Sequence, residues 1–445
     1  METQKQKKSF GQWIKTSITI RMLMVGILIL VLLIPLSYIK NLIQERAYRQ
    51  EEVVSEINQK WGNEVLLYGP VLKIPYQIHN LKKTWDEKTK AYIKEDIITI
   101  KNAFFFPNTL DILTHIESET LGRNIYESVV YTANMNINGS FTVPNFEIQD
   151  IKPEDILWNK ATILVNSTNS KGIKSNLELK INTDTYPLQS RYTQNSIMNR
   201  LETKFLKETS LPKESSINFD MELKVNGSKQ LRFIPVGRET NVSMTSNWSS
   251  PSFNGNYLPD TKTKEISENG FKANWKVLQI NREFEQEFFG ELPHINSSAF
   301  GVKLLIPVDE YQKSERATKY GYLVIALTFL VFFLIQTVSK INIHPFQYLM
   351  IGLALTMFYT LLISISEHSS FLNAYGVAGI AVVLLISVYA NTILKSFKFM
   401  GLIGASLTAL YTFIFVIIQL ENYALLVGSI GLFLILSTIM MVSRK

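Results

Sequence analysis

The chain has 445 residues, 46% of them hydrophobic and 19% charged, with 45 basic residues, 38 acidic residues and no cysteine. All but three of the acidic residues and all but ten of the basic residues lie between Lys40 and Tyr320, so this stretch is neutral by count and the net charge of +7 comes from the two ends. Because that excess charge flanks apolar segments, it indicates a membrane protein and argues against a nucleic-acid-binding one.

An apolar segment near the N-terminus predicts a membrane anchor. Residues 1–17 form a basic tail, and residues 18–39 are apolar over a length sufficient to cross a hydrocarbon core of about 30 Å. We interpret the segment as an uncleaved anchor rather than a signal peptide, because it is longer than a usual signal core and no A-x-A-like cleavage site follows it. From residue 41 to residue 61 apolar side chains recur at helical spacing, which predicts an amphipathic helix that continues the anchor.

Residues 40–320 predict a large, mainly β domain. Apolar and polar residues alternate over several runs, which is typical of strands that bury one face, as in antiparallel sheets. About eleven strands are expected, and with them a large β-sandwich or two stacked smaller ones, most simply antiparallel. The Asn226-Gly227 pair predicts a two-residue hairpin turn, and residues 190–207 are expected to be helical. The strands are expected at residues 65–67, 71–74, 96–101, 131–138, 162–165, 177–181, 217–225, 231–236, 242–248, 271–277 and 302–307.

Five further apolar spans within residues 321–445 join the anchor to predict six transmembrane helices, one before the β domain and five after it. If the N-terminus is cytoplasmic, all ten flanking basic residues lie inside and the short outer loops carry none, in agreement with the positive-inside bias. Both termini are then cytoplasmic, and residues 40–320 lie outside the cytoplasm. The five spans are expected at residues 321–338, 348–365, 374–394, 400–418 and 423–442. Glycines one turn apart predict close helix packing: Gly376 with Gly379, Gly401 with Gly404, and Gly428 with Gly431.

Polar residues near the ends of the spans are candidate functional residues. Glu367 and His368, at the outer end of the third span, form either a titratable pair that contacts the external domain or a lipid headgroup, or an interfacial loop that meets water. Gln336 lies near the inner end of the second span, and His344 precedes a proline in the first turn of the third, where a missing N–H costs little. Arg316 lies shortly before the second span, where it can reach lipid headgroups and fix the height of the external domain.

Trp248 is a further candidate, in an aromatic-rich turn that also contains Phe253 and Tyr257. The turn forms either a binding lip at the edge of the sandwich or a long loop packed onto the core.

Recognisable catalytic chemistry is absent from the sequence. No nucleophile elbow, phosphate-binding loop, dinucleotide fingerprint or H-E-x-x-H zinc motif occurs. The missing cysteines exclude thiol catalysis and cysteine-ligated metals, and no cofactor or metal site is predicted. His79, His115 and His294 are isolated in sequence, so a hydrolase would require one of them to meet an acid and a hydroxyl in the folded domain.

Seven strings of the sequence carry a family resemblance. They are LIPLSYIKNLI at 33–43, GPVLKIPY at 69–76, GRNIYESVVYTANMNINGSF at 122–141, FIPVGRETNVSMTSNWSSPSFNGNYLP at 233–259, GFKANWKVLQINR at 270–282, FGVKLLIPVDEYQKSERATKYGYLVIALTFLVFFL at 300–334 and HPFQYLMIGLALTMFYTLLISISEH at 344–368. Together they resemble the CreD family of bacterial inner-membrane proteins, which are associated with cell-envelope integrity. The resemblance implies a Gram-negative inner-membrane protein with one anchor, a large periplasmic domain and a helical bundle, and it brings no established reaction, ligand or catalytic residue.

Three functional hypotheses follow. The first is a non-enzymatic protein that supports envelope integrity or the envelope-stress response through its periplasmic β domain. The second is a protein that binds or transports a lipid or an envelope precursor, and the third is a membrane-bound hydrolase without a recognisable motif. Expected partners are membrane lipid and a periplasmic protein, an inner-membrane protein, or an envelope lipid or glycan, but no nucleic acid.

Overall fold

The computed structural model describes residues 18–86, 91–191, 198–306, 310–339, 341–420 and 423–443. The chain divides into two units, Met1–Glu52 with Val308–Lys445, and Val53–Pro307. We call the first the helical unit and the second the β-domain. The predicted domain limits at residues 40 and 320 stay predictions, because this division does not locate a bilayer surface.

Six helices of the described residues are long and apolar enough to cross a membrane, in the number and order that the sequence predicts. The first continues without a break through the predicted amphipathic segment, and a short additional helix, Glu310–Lys319, precedes the second span. The helices are α1 (Ile18–Trp61), α2 (Glu310–Lys319), α3 (Gly321–Ser339), α4 (Pro345–Ser366), α5 (Phe371–Leu394), α6 (Phe397–Gln419) and α7 (Ala424–Ser443).

Two glycines bring the anchor into the helical bundle. A Cβ added at Gly352 of α4 would lie 2.0 Å from Cδ1 of Leu32, and one at Gly321 of α3 would lie 2.7 Å from Cδ1 of Leu36. Both leucines belong to α1 and are buried. Small residues at these positions therefore let α1 pack as a member of the bundle.

The predicted glycine pairs are confirmed only in part. A Cβ at Gly404 would meet the Ser387 side chain at 2.9 Å, and one at Gly431 would meet the Phe413 ring at 2.1 Å. At Gly376 and Gly401 a Cβ would meet no neighbouring side chain of the described residues within 4 Å. The prediction of close packing is wrong for these two, because each faces away from the adjacent helices.

The β-domain contains two sheets that share one hydrophobic core. Their strands are β1 (Val65–Asp86), β2 (Ala91–Phe105), β3 (Thr109–Arg123), β4 (Tyr126–Phe141), β5 (Thr162–Ser167), β6 (Glu178–Ile181), β7 (Asp184–Pro187), β8 (Gln189–Arg191), β9 (Asn199–Glu202), β10 (Ile217–Ser228), β11 (Gln230–Phe233), β12 (Glu239–Ser246), β13 (Pro251–Gly255), β14 (Glu265–Ser267), β15 (Gly270–Leu278), β16 (Glu287–Phe289) and β17 (Phe300–Leu304).

The first sheet has the order β13-β17-β11-β1-β5-β9-β8, with β2 paired to β1 and β16 to β2. The second has the order β14-β15-β12-β3-β4-β10-β6-β7. Among the described strands pairing is antiparallel except between β1 and β11 and between β3 and β12, so the sandwich is mixed.

Two local predictions are wrong. Asn226-Gly227 does not form a turn but lies inside β10, opposite Thr132 and Tyr131, and the chain turns at Lys229 with φ of 60°. Gly227 serves close packing instead, because a Cβ there would lie 2.4 Å from the Tyr131 ring.

The described part of residues 190–207 contains no helix. It contributes to β8 and β9, and Leu201 of β9 pairs with Val165 of β5, on the edge of β5 opposite β1. Residues 192–197 lie outside the described residues. Sheet pairing therefore overrides the local helical pattern at this edge.

Candidate functional site

Glu367 lies at the C-terminal end of α4 and binds two segments from elsewhere in the helical unit. Its Oε1 is 3.6 Å from Nε of Arg46, in the distal part of α1, and accepts a hydrogen bond of 3.3 Å from the hydroxyl of Tyr311 in α2. The Glu367 side chain is only 14% exposed. The carboxylate is therefore paired and held, rather than a freely solvated loop residue.

Glu310 extends this arrangement to α5. Its Oε2 accepts a hydrogen bond of 2.8 Å from the backbone N–H of Phe371, the first residue of α5. A carboxylate at a helix N-terminus is stabilised by the orphan N–H groups and by the helix dipole. We call Arg46, Glu310, Tyr311 and Glu367 the Glu367 cluster; it joins α1, α2, α4 and α5.

His368 does not belong to this cluster. Its side chain is exposed, and within the described part of the chain only its backbone N–H bonds, to the carbonyl of Ile365 at 3.0 Å. The predicted pair of Glu367 and His368 therefore does not act as a unit in this structure.

Two other candidates lie where α3 ends and α4 begins. The hydroxyl of Tyr348 donates to Oε1 of Gln336 at 2.9 Å, and both residues are buried. His344 is the N-cap of α4: its Nδ1 accepts from the N–H of Phe346 at 3.3 Å, and its own N–H donates to Oε1 of Gln347 at 2.9 Å. Both residues fix local structure here, by satisfying a buried amide and by capping a helix.

The remaining two candidates belong to different units, Arg316 to the helical unit and Trp248 to the β-domain. Arg316 is half-buried in α2. Trp248 packs against the core of the β-domain, and its Nε1 donates to the carbonyl of Leu305 at 2.9 Å. Phe253 of the same turn contacts Trp275 edge to face, at 5.7 Å between ring centroids. The aromatic turn is therefore packed onto the core.

His79 lies between two carboxylates on the β-domain. Its Nδ1 is 2.6 Å from Oδ2 of Asp96 and its Nε2 is 3.1 Å from Oδ1 of Asp155. The hydrogen bonds with Asp96 and then Asp155 raise the pKa of His79 above its ordinary value. No hydroxyl nucleophile completes this group among the described contacts.

His115 comes nearer to a catalytic arrangement. Its Nδ1 is 2.9 Å from the hydroxyl of Thr245, and its Nε2 is 4.0 Å from Oε1 of Glu117. The latter distance is too long for a hydrogen bond, and the side chains of His115 and Glu117 are 58% and 65% exposed. A triad requires a buried acid that orients the imidazole, and Glu117 does not meet that condition.

An apolar cleft of about 500 Å³ lies between α3, α6 and α7. Its walls include Leu327, Ala409, Leu410 and Leu434, and the hydroxyl of Thr328, which also lines it, is buried without a hydrogen-bond partner among the described residues. Such a volume falls in the range of about 300–1,000 Å³ typical of small-molecule sites. Among the described residues no group of three or more His, Asp or Glu could hold a metal ion.

The sequence could not show the partners of Glu367. Arg46 and Tyr311 are distant from it along the chain. Each lies in a helical stretch rich in charged residues, which is as typical of a solvent-exposed helix face as of a paired site. A charge near the end of an apolar span was the only available signal.

These features define a multi-pass helical membrane protein with a large β-domain inserted after its first span. The sequence profile of the family described as "Inner membrane protein CreD" matches residues 17–445, and the chain belongs to this family. It is 29% identical over 425 residues to the Inner membrane protein CreD of Escherichia coli (strain K12), covering 94% of this chain and 90% of that protein. The resemblance seen in the sequence is thereby confirmed, and the chain is a multi-pass inner-membrane protein.

Proposed function

We propose that both termini of this protein lie in the cytoplasm and that residues 40–320 lie in the periplasm. Under this arrangement the ten basic residues outside residues 40–320 all lie on the cytoplasmic side, and the short outer loops carry no basic residue. Short cytoplasmic loops of membrane proteins carry an excess of Lys and Arg. A reversed orientation would instead put all ten of these basic residues outside the cytoplasm.

The absence of cysteine gives a direct test of this topology, because a single introduced thiol has no background. Ser267→Cys places a thiol on an exposed strand of the β-domain, and Ser396→Cys places one in the short loop between α5 and α6. A membrane-impermeant maleimide should label Ser267→Cys in cells with a permeabilised outer membrane, and Ser396→Cys only after the inner membrane is opened. The reverse pattern would refute the orientation.

Within that topology, we propose that the protein supports cell-envelope integrity through its β-domain and catalyses no reaction. The observation that carries the proposal is the Glu367 cluster. Arg46 lies in the segment that leads into the β-domain, Glu310 and Tyr311 lie in the segment that leads out of it, and all three bind the ends of α4 and α5. The two chain segments that connect to the β-domain are thus both held by contacts within the helical unit, as suits a structural role.

The test compares a strain that lacks the chain with strains that carry variants of it. Loss of the chain should increase sensitivity to detergent, and the unaltered chain should restore resistance. Glu367→Ala should restore it only in part, whereas Glu117→Ala, which removes an exposed acid of the β-domain, should restore it fully. Full restoration by Glu367→Ala at normal protein level would refute the proposed role of the cluster.

A lipid-binding or lipid-transport function is the second candidate, and the apolar cleft favours it. The cleft lies among membrane-spanning helices, where an acyl chain is the available occupant. Ala409→Phe should fill the cleft, with Leu402→Phe, at an exposed position of α6, as its matched control. Native mass spectrometry should then detect a lipid that is lost from Ala409→Phe and retained by Leu402→Phe; equal retention would exclude this cleft as the site.

A further inference from the structure

Three loops of the β-domain meet around an open cavity of about 810 Å³. They connect β2 to β3, β11 to β12 and β15 to β16. Backbone hydrogen bonds tie them together: Arg238 N–H to the Pro107 carbonyl at 2.9 Å, Gln279 N–H to the Arg238 carbonyl at 2.7 Å, and Phe106 N–H to the Gln286 carbonyl at 3.0 Å. The walls of the cavity are therefore held in place before any ligand arrives.

Arg282 lines this cavity and is only 8% exposed. Its Nη1 donates to the carbonyls of Pro235 and Val236 at 3.2 and 3.0 Å, and its Nη2 donates to Oε1 of Gln286. The guanidinium also lies 4.5 Å from the centroid of the Phe284 ring. These contacts satisfy three of its five N–H donors, yet all the acceptors are neutral.

The charge of Arg282 therefore has no carboxylate partner among the described residues. Burial is expensive for an uncompensated ion. Burial, to which the nearby positive charge of Arg238 adds, lowers the pKa of Arg282 to about 10. The residue remains cationic at neutral pH, so the domain carries a buried positive charge in the wall of this cavity.

Arg238 lines the same cavity and adds a second guanidinium. It is exposed, and its side chain makes no hydrogen bond or ion pair with the described residues. Gly237, which precedes it, is buried in a tight turn, and its N–H donates to Oγ1 of Thr240 at 3.0 Å. The backbone of Arg238 is thus fixed, and its guanidinium is exposed. Burial raises the pKa of the nearby Glu287 carboxyl, and the charge of Arg238 opposes that rise.

Acidic residues on the same cavity limit what can enter. Glu239 is occupied by Lys276, at 2.7 Å between Nζ and Oε1, and by Asn241. Glu283 and Glu285 are exposed and would repel an extended polyanion. A compact anionic group that reaches the arginines fits these charges better than a nucleic acid or an acidic polymer.

We propose that this cavity binds a phosphate group between Arg238 and Arg282. A phosphate presents several oxygens in the geometry that guanidinium donors match, and Asn108, Thr109 and Gln279 add polar groups to the same walls. The group comes either from free phosphate or from the headgroup of a phospholipid. Phosphate binding itself does not depend on which side of the membrane the β-domain faces. Only the source of the phosphate group rests on the proposed function.

Isothermal titration calorimetry of the full-length protein in a non-ionic detergent, at constant ionic strength, tests the site. The probes are inorganic phosphate, glycerol 3-phosphate as the headgroup, and acetate. Arg238→Gln should weaken phosphate binding at least about tenfold, because the variant loses a positive charge and its charge-assisted hydrogen bonds to the phosphate oxygens. Arg191→Gln, which removes an exposed arginine from β8, should leave binding unchanged.

Tighter binding of inorganic phosphate than of glycerol 3-phosphate would assign free phosphate as the source, and the reverse would assign the headgroup. Equal weakening in Arg238→Gln and Arg191→Gln, no binding of either phosphate, or acetate bound as tightly as phosphate would overturn the proposal. Detergent resistance of Arg238→Gln cells is measured separately. If Arg238→Gln cells lose phosphate binding but keep normal detergent resistance, the phosphate site is established. In that case envelope integrity does not depend on the site.

Discussion

Replacing Lys73 by methionine should destabilise the β-domain by about 3 kcal/mol. Nζ of Lys73 lies 2.5 Å from Oε1 of Glu202, and the hydroxyl of Thr162 donates to the same oxygen at 2.7 Å. The two charged side chains are 19% and 10% exposed, so the variant leaves a largely desolvated carboxylate with one hydroxyl donor. Removing one partner of a buried ion pair costs about 3–5 kcal/mol, and the partial exposure of Lys73 favours the lower end.

The same pair predicts how that loss depends on pH. Burial by itself would raise the pKa of Glu202, but hydrogen bonds from Lys73 and Thr162 and the charge of Lys73 hold it below its ordinary value of 4.5. Because the folded pKa is the lower one, the stabilisation is fully present above about pH 4.5 and is lost as the pH falls through the folded pKa. In the Lys73→Met variant burial dominates the pKa of Glu202, so protonation of this carboxyl removes the unpaired buried charge. The loss of stability caused by Lys73→Met should therefore be smaller at pH 4.

Thermal unfolding of the full-length protein in mild detergent, followed by tryptophan fluorescence, measures the effect. For a unit of this size about 1 kcal/mol corresponds to about 2–4 °C, so the melting temperature of the β-domain should fall by about 6–12 °C. The double variant Lys73→Met/Glu202→Leu is the control, since replacing both partners of a buried pair by apolar residues is often nearly neutral. A fall below about 3 °C, or a double variant as unstable as the single one, would show that the pair is not desolvated as argued.

Three further predictions concern the β-domain. Gly227→Ala should cost about 1–3 kcal/mol by overpacking against the buried Tyr131 ring, and an unchanged melting temperature would contradict the close approach. His79→Gln should lower the melting temperature at pH 6 but not at pH 9. The pKa of His79 is raised in the folded state, so its stabilisation is fully present below the ordinary pKa of 6.5 and is lost as the pH rises through the folded pKa. Equal shifts at both pH values would refute the contact with Asp96. His115→Ala should restore detergent resistance as well as the unaltered chain does, and failure at normal protein level would favour the hydrolase hypothesis.

Membrane spans and strands differ in how far the sequence reveals them. Each span can be predicted because a transmembrane helix satisfies its backbone hydrogen bonds within its own apolar segment, without a partner elsewhere in the chain. The sequence does not predict strand β3, because Leu113 points outward, 57% exposed, while Thr114 and Ser118 point inward, which obscures the alternation. The sequence predicts a turn at Gly227 because the Tyr131 ring, which requires the glycine, is distant from it along the chain.

The candidate site shows the same limit more strongly. Glu367 could be selected from the sequence as a charge beside an apolar span, but its partner Arg46 could not, since pairing is a property of folded geometry. His344 and Gln336 were selected on equal grounds and turn out to cap a helix and to satisfy a buried hydroxyl. Arg238 and Arg282 gave no signal, because neither their separation nor their neighbours suggests a shared cavity.

The packing of α1 against two glycines of the bundle has a consequence for biogenesis. In this contact Leu32 packs on Gly352 and Leu36 packs on Gly321. The anchor leaves the ribosome before the whole β-domain, whereas its glycine partners follow it. At synthesis rates of about 5–20 residues per second, α1 resides in the bilayer for on the order of tens of seconds before they emerge. During that interval lipid alone must retain it, and α1 accordingly contains the most apolar window of the six spans. The bundle is therefore completed by late-arriving helices that dock onto a helix inserted first.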